Sequence, residues 1–201
     1  MVFLRSSPAN EQGPLLKTER LTLRLPQSDD FLAWSKLRDI SKERLVPFEP
    51  LWSVNELTKD AYRSRLRFYR QEFRDKTGYP FFIFKADDDA LIGGITLSNV
   101  QRGVTQSAAL GYWMGAPFQN QGFMTEAVTS VQRFVFRELM LHRLEAASMP
   151  ANVASMRVLE KCGFHKEGLA RRYLRINGTW SDHFLYSFIE DDFILKFVRP
   201  K

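Results

Sequence analysis

Between Ala109 and Ala127 the chain passes from an apolar strand pattern, Ala109-Leu110-Gly111-Tyr112-Trp113-Met114, through Gln119-Asn120-Gln121-Gly122 into an amphipathic helix opening Phe123-Met124-Thr125-Glu126-Ala127. No other segment restricts the fold as much, because a tight glycine turn must join the end of a strand to the start of a helix. The first turn of a helix has main-chain N–H groups without an intrahelical acceptor and is the positive end of the macrodipole. Such a junction is an anion cradle, able to hold a diphosphate by the main chain with little help from side chains. The preceding strand would deliver a ligand's tail straight to it. An ordinary strand-to-helix connection is the competing account.

A second informative segment is Asn152-Val153-Ala154-Ser155-Met156-Arg157-Val158-Leu159-Glu160-Lys161-Cys162-Gly163-Phe164. Asn152 is a good helix N-cap, Gly163 is placed as the C-terminal stop, and Phe164 restarts a strand. Around these segments, periodicity predicts strands over 21–25, 80–85, 90–100, a run ending at Met114, 143–149, 164–176 and 180–189. It predicts helices from a cap at Ser28 to about Ile40, then over 61–76, 124–139 and 153–161. The Asn177-Gly178 pair marks a hairpin turn. Residues 1–16, with Pro8, Gly13 and Pro14, read as a flexible leader, and 17–201 as a single domain of mixed α+β class.

A length of 201 residues with 44% hydrophobic content is ample for one core. No apolar run approaches the roughly 20 residues that span a bilayer, and the N-terminus lacks the hydrophobic region of a secretory signal. A cytoplasmic protein that does not engage membranes is therefore expected. The single cysteine, Cys162, excludes an internal disulfide, and His142, His165 and His183 lack metal-ligand spacing, so no metal is expected. Cys162 sits in the last turn of a predicted helix and reads as a small buried hydrophobe. The net charge of +6 suits an anionic cofactor or an RNA-rich partner without choosing between them. Arg63, Arg67, Arg70 and Arg74 recur one residue after the apolar stripe of Tyr62, Leu66, Tyr69 and Phe73. That ridge is either a solvated helix face or a docking surface for the ribosome or RNA.

The Gln119 to Met124 segment resembles the Q/R-x-x-G-x-G/A signature of the GCN5-related N-acetyltransferases (GNAT), which hold the pyrophosphate of acetyl-CoA in this way. Met124 departs from it, a larger side chain where the family usually has Gly or Ala and an expected restriction on how closely the phosphates approach. The Asn152 to Phe164 segment resembles the family's N-x-x-S-x-x-x-L-x-x-x-G-F stretch, which packs beside the pantetheine. Thr18-Glu19-Arg20-Leu21-Thr22-Leu23-Arg24, Pro47-Phe48-Glu49-Pro50, Leu97-Ser98-Asn99-Val100-Gln101-Arg102-Gly103, Leu110-Gly111-Tyr112 and Asn177-Gly178-Thr179-Trp180-Ser181-Asp182-His183 resemble the RimJ branch. That branch comprises ribosomal-protein-alanine N-acetyltransferases acting on the N-terminal alanine of small-subunit protein S5.

The resemblance implies a central, mostly antiparallel sheet flanked by helices and splayed after the fourth predicted strand, where a pantetheine pairs like another strand. It implies acetyl-CoA as cosubstrate and a protein N-terminus as acceptor. The cofactor-binding residues it implies are Trp113, Met114, Gln119, Asn120, Gln121, Gly122, Phe123, Met124, Thr125, Asn152 and Ser155. Two alternatives stay open: an acetyltransferase for a small amine such as an amino sugar or antibiotic, and a ribosome-assembly factor with this fold and little catalysis.

Acetyl transfer through a tetrahedral intermediate needs a neutral amine, an oxyanion partner and a proton for the departing thiolate. Glu49 is the first choice of base, because its Pro-Phe-Glu-Pro loop is expected to border the acceptor cleft; simple exposure is the competing account. Glu145 and Asp182 are alternatives for orienting the amine or driving a water relay, while Glu126 reads as a partner of its helix dipole. A main-chain N–H near Trp113 or Met114 is expected to meet the oxyanion. Leu159 occupies the position where many acetyltransferases carry an acidic tyrosine. Ser155, matching a serine of related ribosomal-protein acetyltransferases, is the candidate acid, with Tyr112 and Tyr173 in reserve. A first-turn serine bonded to its own backbone is the other possibility.

Overall fold

The computed structural model describes residues 13–199. In chain order the elements are β1 (Leu16–Lys17), β2 (Leu21–Arg24), α1 (Phe31–Ile40), α2 (Lys42–Leu45), α3 (Lys59–Arg74), β3 (Tyr79–Lys85), β4 (Leu91–Gln101) and β5 (Ser107–Met114). There follow α4 (Phe123–Arg133), which continues as a π-helical turn over Phe134–Glu138, β6 (Arg143–Ser148), α5 (Val153–Lys161), β7 (His165–Ile176), β8 (Thr179–Ile189) and α6 (Glu190–Phe193). Residues 1–12 of the expected leader lie outside the described residues, and its last residue, Leu16, is a strand residue paired with Leu23.

One eight-stranded sheet runs in the order β1-β2-β3-β4-β5-β6-β8-β7. Every pairing is antiparallel except β5 with β6, where α4 supplies the crossover that a parallel pair requires. The β5–β6 ladder joins Ser107–Leu110 to Arg143–Ala146 and then stops, so Gly111 to Met114 have no partner on that side. This is the expected splay; the short β1 makes the splayed strand the fifth rather than the fourth.

Helices cover both faces of the sheet. The run Tyr79-Pro80-Phe81-Phe82-Ile83-Phe84 in β3 is apolar throughout, as a strand buried on both faces must be. Phe81 and Ile83 join the larger core with Ala127, Val128 and Val131 of α4 and Leu159 of α5, whereas Phe82 and Phe84 join Trp34, Leu37, Tyr62 and Leu66 of α1 and α3. Ser28 does not cap a regular helix: Ser28–Asp30 is a 3-10 turn, because the Asp30 carboxylate accepts from Gln27 N at 2.7 Å and from both terminal nitrogens of Arg24. Gly94 allows a close approach, since a Cβ there would lie 2.4 Å from Nε1 of Trp113. Among the described residues, no helix is long and apolar enough to cross a membrane.

Candidate active site

The bend after β5 is open. Gly122 adopts φ of 81° and Asn120 φ of 61°, left-handed conformations that Gly and Asn tolerate best. No side chain caps α4, and among the described residues none of the main-chain N–H groups from Asn120 to Thr125 finds a protein acceptor. A Cβ built on Gly122 would meet only Nη2 of Arg20 within 4 Å, at 3.6 Å. A run of unpaired donors around a position that a side chain would fill fits a diphosphate. The Met124 side chain is buried in the larger core, which corrects the expectation that it restricts the bend. Phe123 is buried beside it under the Arg20 guanidinium, Gln121 turns its amide to Pro117 O, and Gln119 approaches Met114 O at 3.5 Å.

Glu126 does more than complement a dipole. Its carboxylate accepts from Thr18 Oγ1 at 2.5 Å, Arg20 N at 3.0 Å and Arg20 Nε at 2.7 Å, while Arg20 Nη1 donates to Gln121 O at 3.2 Å. Burial pushes the Glu126 carboxyl up, but the bonds from Thr18 and Arg20 outweigh it and hold the group below its usual range. The entry to β2 is thereby fastened to the cradle.

Above the bend, Gly115 N donates to Ile92 O of β4 at 2.8 Å. Strand alternation then turns the Met114 N–H the other way, into the gap beside β6, and points that of Trp113 towards β4. Across the gap, Asn152 caps α5 by accepting from Ser155 N at 3.1 Å, which leaves its amide nitrogen free of protein acceptors among the described residues. Tyr112 Oη lies 2.9 Å from Ser155 Oγ and 3.2 Å from Ser155 O. Burial pushes the Tyr112 phenol well above its ordinary range, outweighing the Ser155 hydrogen bond, so it stays protonated. Leu159 is fully buried, and the Tyr112–Ser155 pair brings phenol and hydroxyl together at the start of the same helix.

Neighbouring residues of a strand face opposite ways, so Trp113 stands on the other side of the sheet from Tyr112. There it meets a cluster that the sequence reading did not assemble. Arg38 of α1, 5% exposed, donates to Glu49 through Nη1 at 2.7 Å and Nη2 at 2.6 Å. Its guanidinium lies 4.4 Å from the ring centre of Trp52 and 5.0 Å from that of Trp113. Trp52 Nε1 also donates to Glu49, at 2.8 Å, and Glu49 O accepts from Asn177 N in the β7–β8 turn at 2.8 Å. The signal for Arg38 was its position on the helical stripe Trp34, Leu37, Arg38, Ser41, where a charge interrupts buried residues.

The structure therefore groups the expected residues in three places: Gln119 to Thr125 at the bend, Met114, Tyr112, Asn152 and Ser155 along the gap, and Glu49 with Trp113 on the far face. Three other candidates are engaged elsewhere. Glu145 accepts from Arg143 Nε, Asp182 from Arg172 N, and Tyr173 is half exposed beside the buried His183. Cys162 is fully buried and burial pushes its thiol up. Among the described residues no group of three or more His, Cys, Asp or Glu is placed to hold a metal.

A sheet parted beside a main-chain anion cradle, with a carboxylate on one face and hydroxyls on the other, defines the enzyme class of acetyltransferases. The chain belongs to the GNAT family: the model described as an acetyltransferase (GNAT) domain matches residues 20–165. It is 45% identical over 156 residues to a Bacillus subtilis (strain 168) protein named probable N-acetyltransferase YjcK, covering 78% of this chain and 86% of that one. It is 35% identical over 180 residues to the ribosomal protein uS5 alanine N-acetyltransferase of Escherichia coli (strain K12), covering 88% and 91%. Its fold matches that of Mycobacterium smegmatis RimJ in complex with CoA-disulfide with a TM-score of 0.82 at 31% identity, covering 90% and 88%.

Proposed function

We propose that this N-acetyltransferase acetylates the α-amine of a protein N-terminus, with the N-terminal alanine of a ribosomal protein like uS5 as acceptor and acetyl-CoA as donor. The relative solved with CoA-disulfide and the relative named for uS5 alanine support donor and acceptor respectively. The observation that carries the choice of amine is the Glu49 carboxylate, three of whose roughly four acceptor sites are taken by Arg38 and Trp52. One site remains, on Oε1. A carboxylate is too weak a base to strip a free ammonium, so the reacting species is the uncharged amine. An α-amine, with a pKa of about 7.7–8.0, keeps roughly a tenth of its molecules in that form at about pH 7, whereas a lysine side chain at about 10.4 keeps fewer than about one in a thousand.

Acetyl-CoA supplies an activated acetyl thioester. Main-chain donors from Asn120 to Thr125 would hold its diphosphate, and Met114, Asn152 and Ser155 would line its pantetheine; Trp113, expected there, instead stands on the far face beside Arg38. Glu49 orients the amine through Oε1 and accepts its proton as the new bond makes the nitrogen more acidic. The Met114 N–H faces the developing oxyanion. Ser155 gives a proton to the departing sulfur and regains one from solvent, while Tyr112, hydrogen-bonded to it, stays protonated and orients the hydroxyl. Residues 17–201 act as one domain in the cytoplasm, and the exposed Arg63, Arg67, Arg70 and Arg74 meet the ribosome or its RNA.

Incubation with labelled acetyl-CoA, an alanine-first peptide, the same peptide with a blocked N-terminus and an internal lysine, and an amino sugar tests the reading. Label on the α-amine alone is expected. Label confined to lysine or sugar overturns it.

A further inference from the structure

β8 pairs with β6 only from Phe184 to Ile189, so residues 171–182 of the β7–β8 hairpin project past the sheet and reach the Pro47–Pro50 loop. This projecting part carries Arg171, Arg172 and Arg175, all exposed, and among the described residues none of the three guanidiniums forms an ion pair with a carboxylate. Arg175 Nε is spent on Gly178 O at the turn, 3.0 Å away. The one carboxylate in the segment, Asp182, accepts from the main-chain N of Arg172 and lines a surface cavity with Arg171 and Arg172. Between the arginines stand exposed apolar groups: Tyr173 at 48%, Leu174 at 41% and, opposite Arg175, Trp180 at 59%. The pairing of β7 shifts register between Ala170 and Leu174, and Arg172 has φ of 48°. That bulge takes these residues out of the regular ladder and re-aims their side chains.

We propose that this hairpin docks the stretch of acceptor chain that follows the acetylated residue, and that it selects acidic stretches. The proposal rests on the α-amine reading above. An acceptor whose first nitrogen sits at Glu49 continues at about 3.3 Å per extended residue, and the hairpin touches the Glu49 loop at Asn177. Its next residues thus meet three arginines and one carboxylate, with Tyr173, Leu174 and Trp180 offering apolar surface to the stems of acidic side chains. Continuity with the acceptor loop favours a peptide over a nucleic acid as the occupant.

Three octapeptides sharing the same first three residues, with positions four to eight acidic, neutral or basic, are to be compared by KM and kcat. The acidic peptide is expected to show a KM about tenfold below the basic one, the product of a few exposed ion pairs of ordinary surface strength. kcat should be the same for all three, and added salt should narrow the gap. R171E/R175E should reverse the order while acetyl-CoA affinity stays unchanged; if that variant fails to fold, R171Q/R175Q should abolish the preference. Equal KM values for the three peptides, or an order untouched by the substitutions, overturn the proposal while leaving α-amine acetylation standing. Loss of single-stranded RNA binding on charge reversal, with unchanged peptide kinetics, overturns it in favour of nucleic acid. Acetylation of no α-amine peptide at all overturns the reading beneath it.

Discussion

At the scale of single residues, chemistry is concentrated where a side chain has one free valence left. Glu49 is held by Arg38 and Trp52 but keeps one acceptor site, so E49Q should lower kcat about a hundredfold, the smaller end of what a lost general base costs. Acetyl-CoA affinity by calorimetry should not change, and undiminished turnover would take Glu49 out of the mechanism. Gly122 is the counterpart at the bend. Its φ of 81° is unfavourable for a β-branched residue, and a Cβ would occupy the space that the unpaired donors surround. G122V should weaken acetyl-CoA binding about tenfold or more, the loss of one hydrogen bond to a charged group; an unchanged Kd would refute the cradle. Glu49, Gly122 and Ser155 could be named as candidates because each sits in a short, ordered motif. Arg38 could not, because the partners that define it, Glu49 and Trp52 in one loop and Trp113 on β5, come from two other segments.

Elements were legible where both ends carry local chemistry. α5 was read to the residue, since Asn152 starts it and Gly163 stops it. β1 and α2 were missed, because two and four residues are too few to show a period. The role of Glu126 was read only in part, since Thr18 and Arg20 lie more than a hundred residues away and such pairing leaves no local trace. This clasp between β2 and α4 has a pH signature. The Glu126 carboxyl is held below its ordinary value in the folded state, so its bonds stabilise the fold above the unfolded value and are lost as pH falls through the folded one. E126Q should therefore cost about 1 kcal/mol at pH 7 and much less near pH 3, followed as the shift in Tm. Equal shifts at both pH values would reduce Glu126 to a neutral hydrogen-bond acceptor.

For the molecule as a whole, the acceptor's own ionisation should govern the pH response. kcat/KM is expected to rise and level off with a midpoint near about 8, that of an α-amine, whereas a rise continuing past about pH 10 would identify a lysine acceptor. The exposed arginines of α3 give a second global test. If they meet ribosomal RNA, replacing Arg63, Arg67, Arg70 and Arg74 with Gln should flatten the salt dependence of ribosome association, by about 0.7–0.9 in log–log slope per lost phosphate contact. A slope equal to the parent's would make that face ordinary solvated surface. The alternation along β5 reaches furthest of all. Tyr112 faces the hydroxyls and Trp113 the buried arginine, so inserting or deleting a single residue between Leu110 and Gly115 would swap phenol and indole and set the phosphate-sized bend out of step with both. Homologous chains of this design can therefore vary freely in the size of their surface loops, but the spacing from Gly111 to Gly122 should tolerate no change in length.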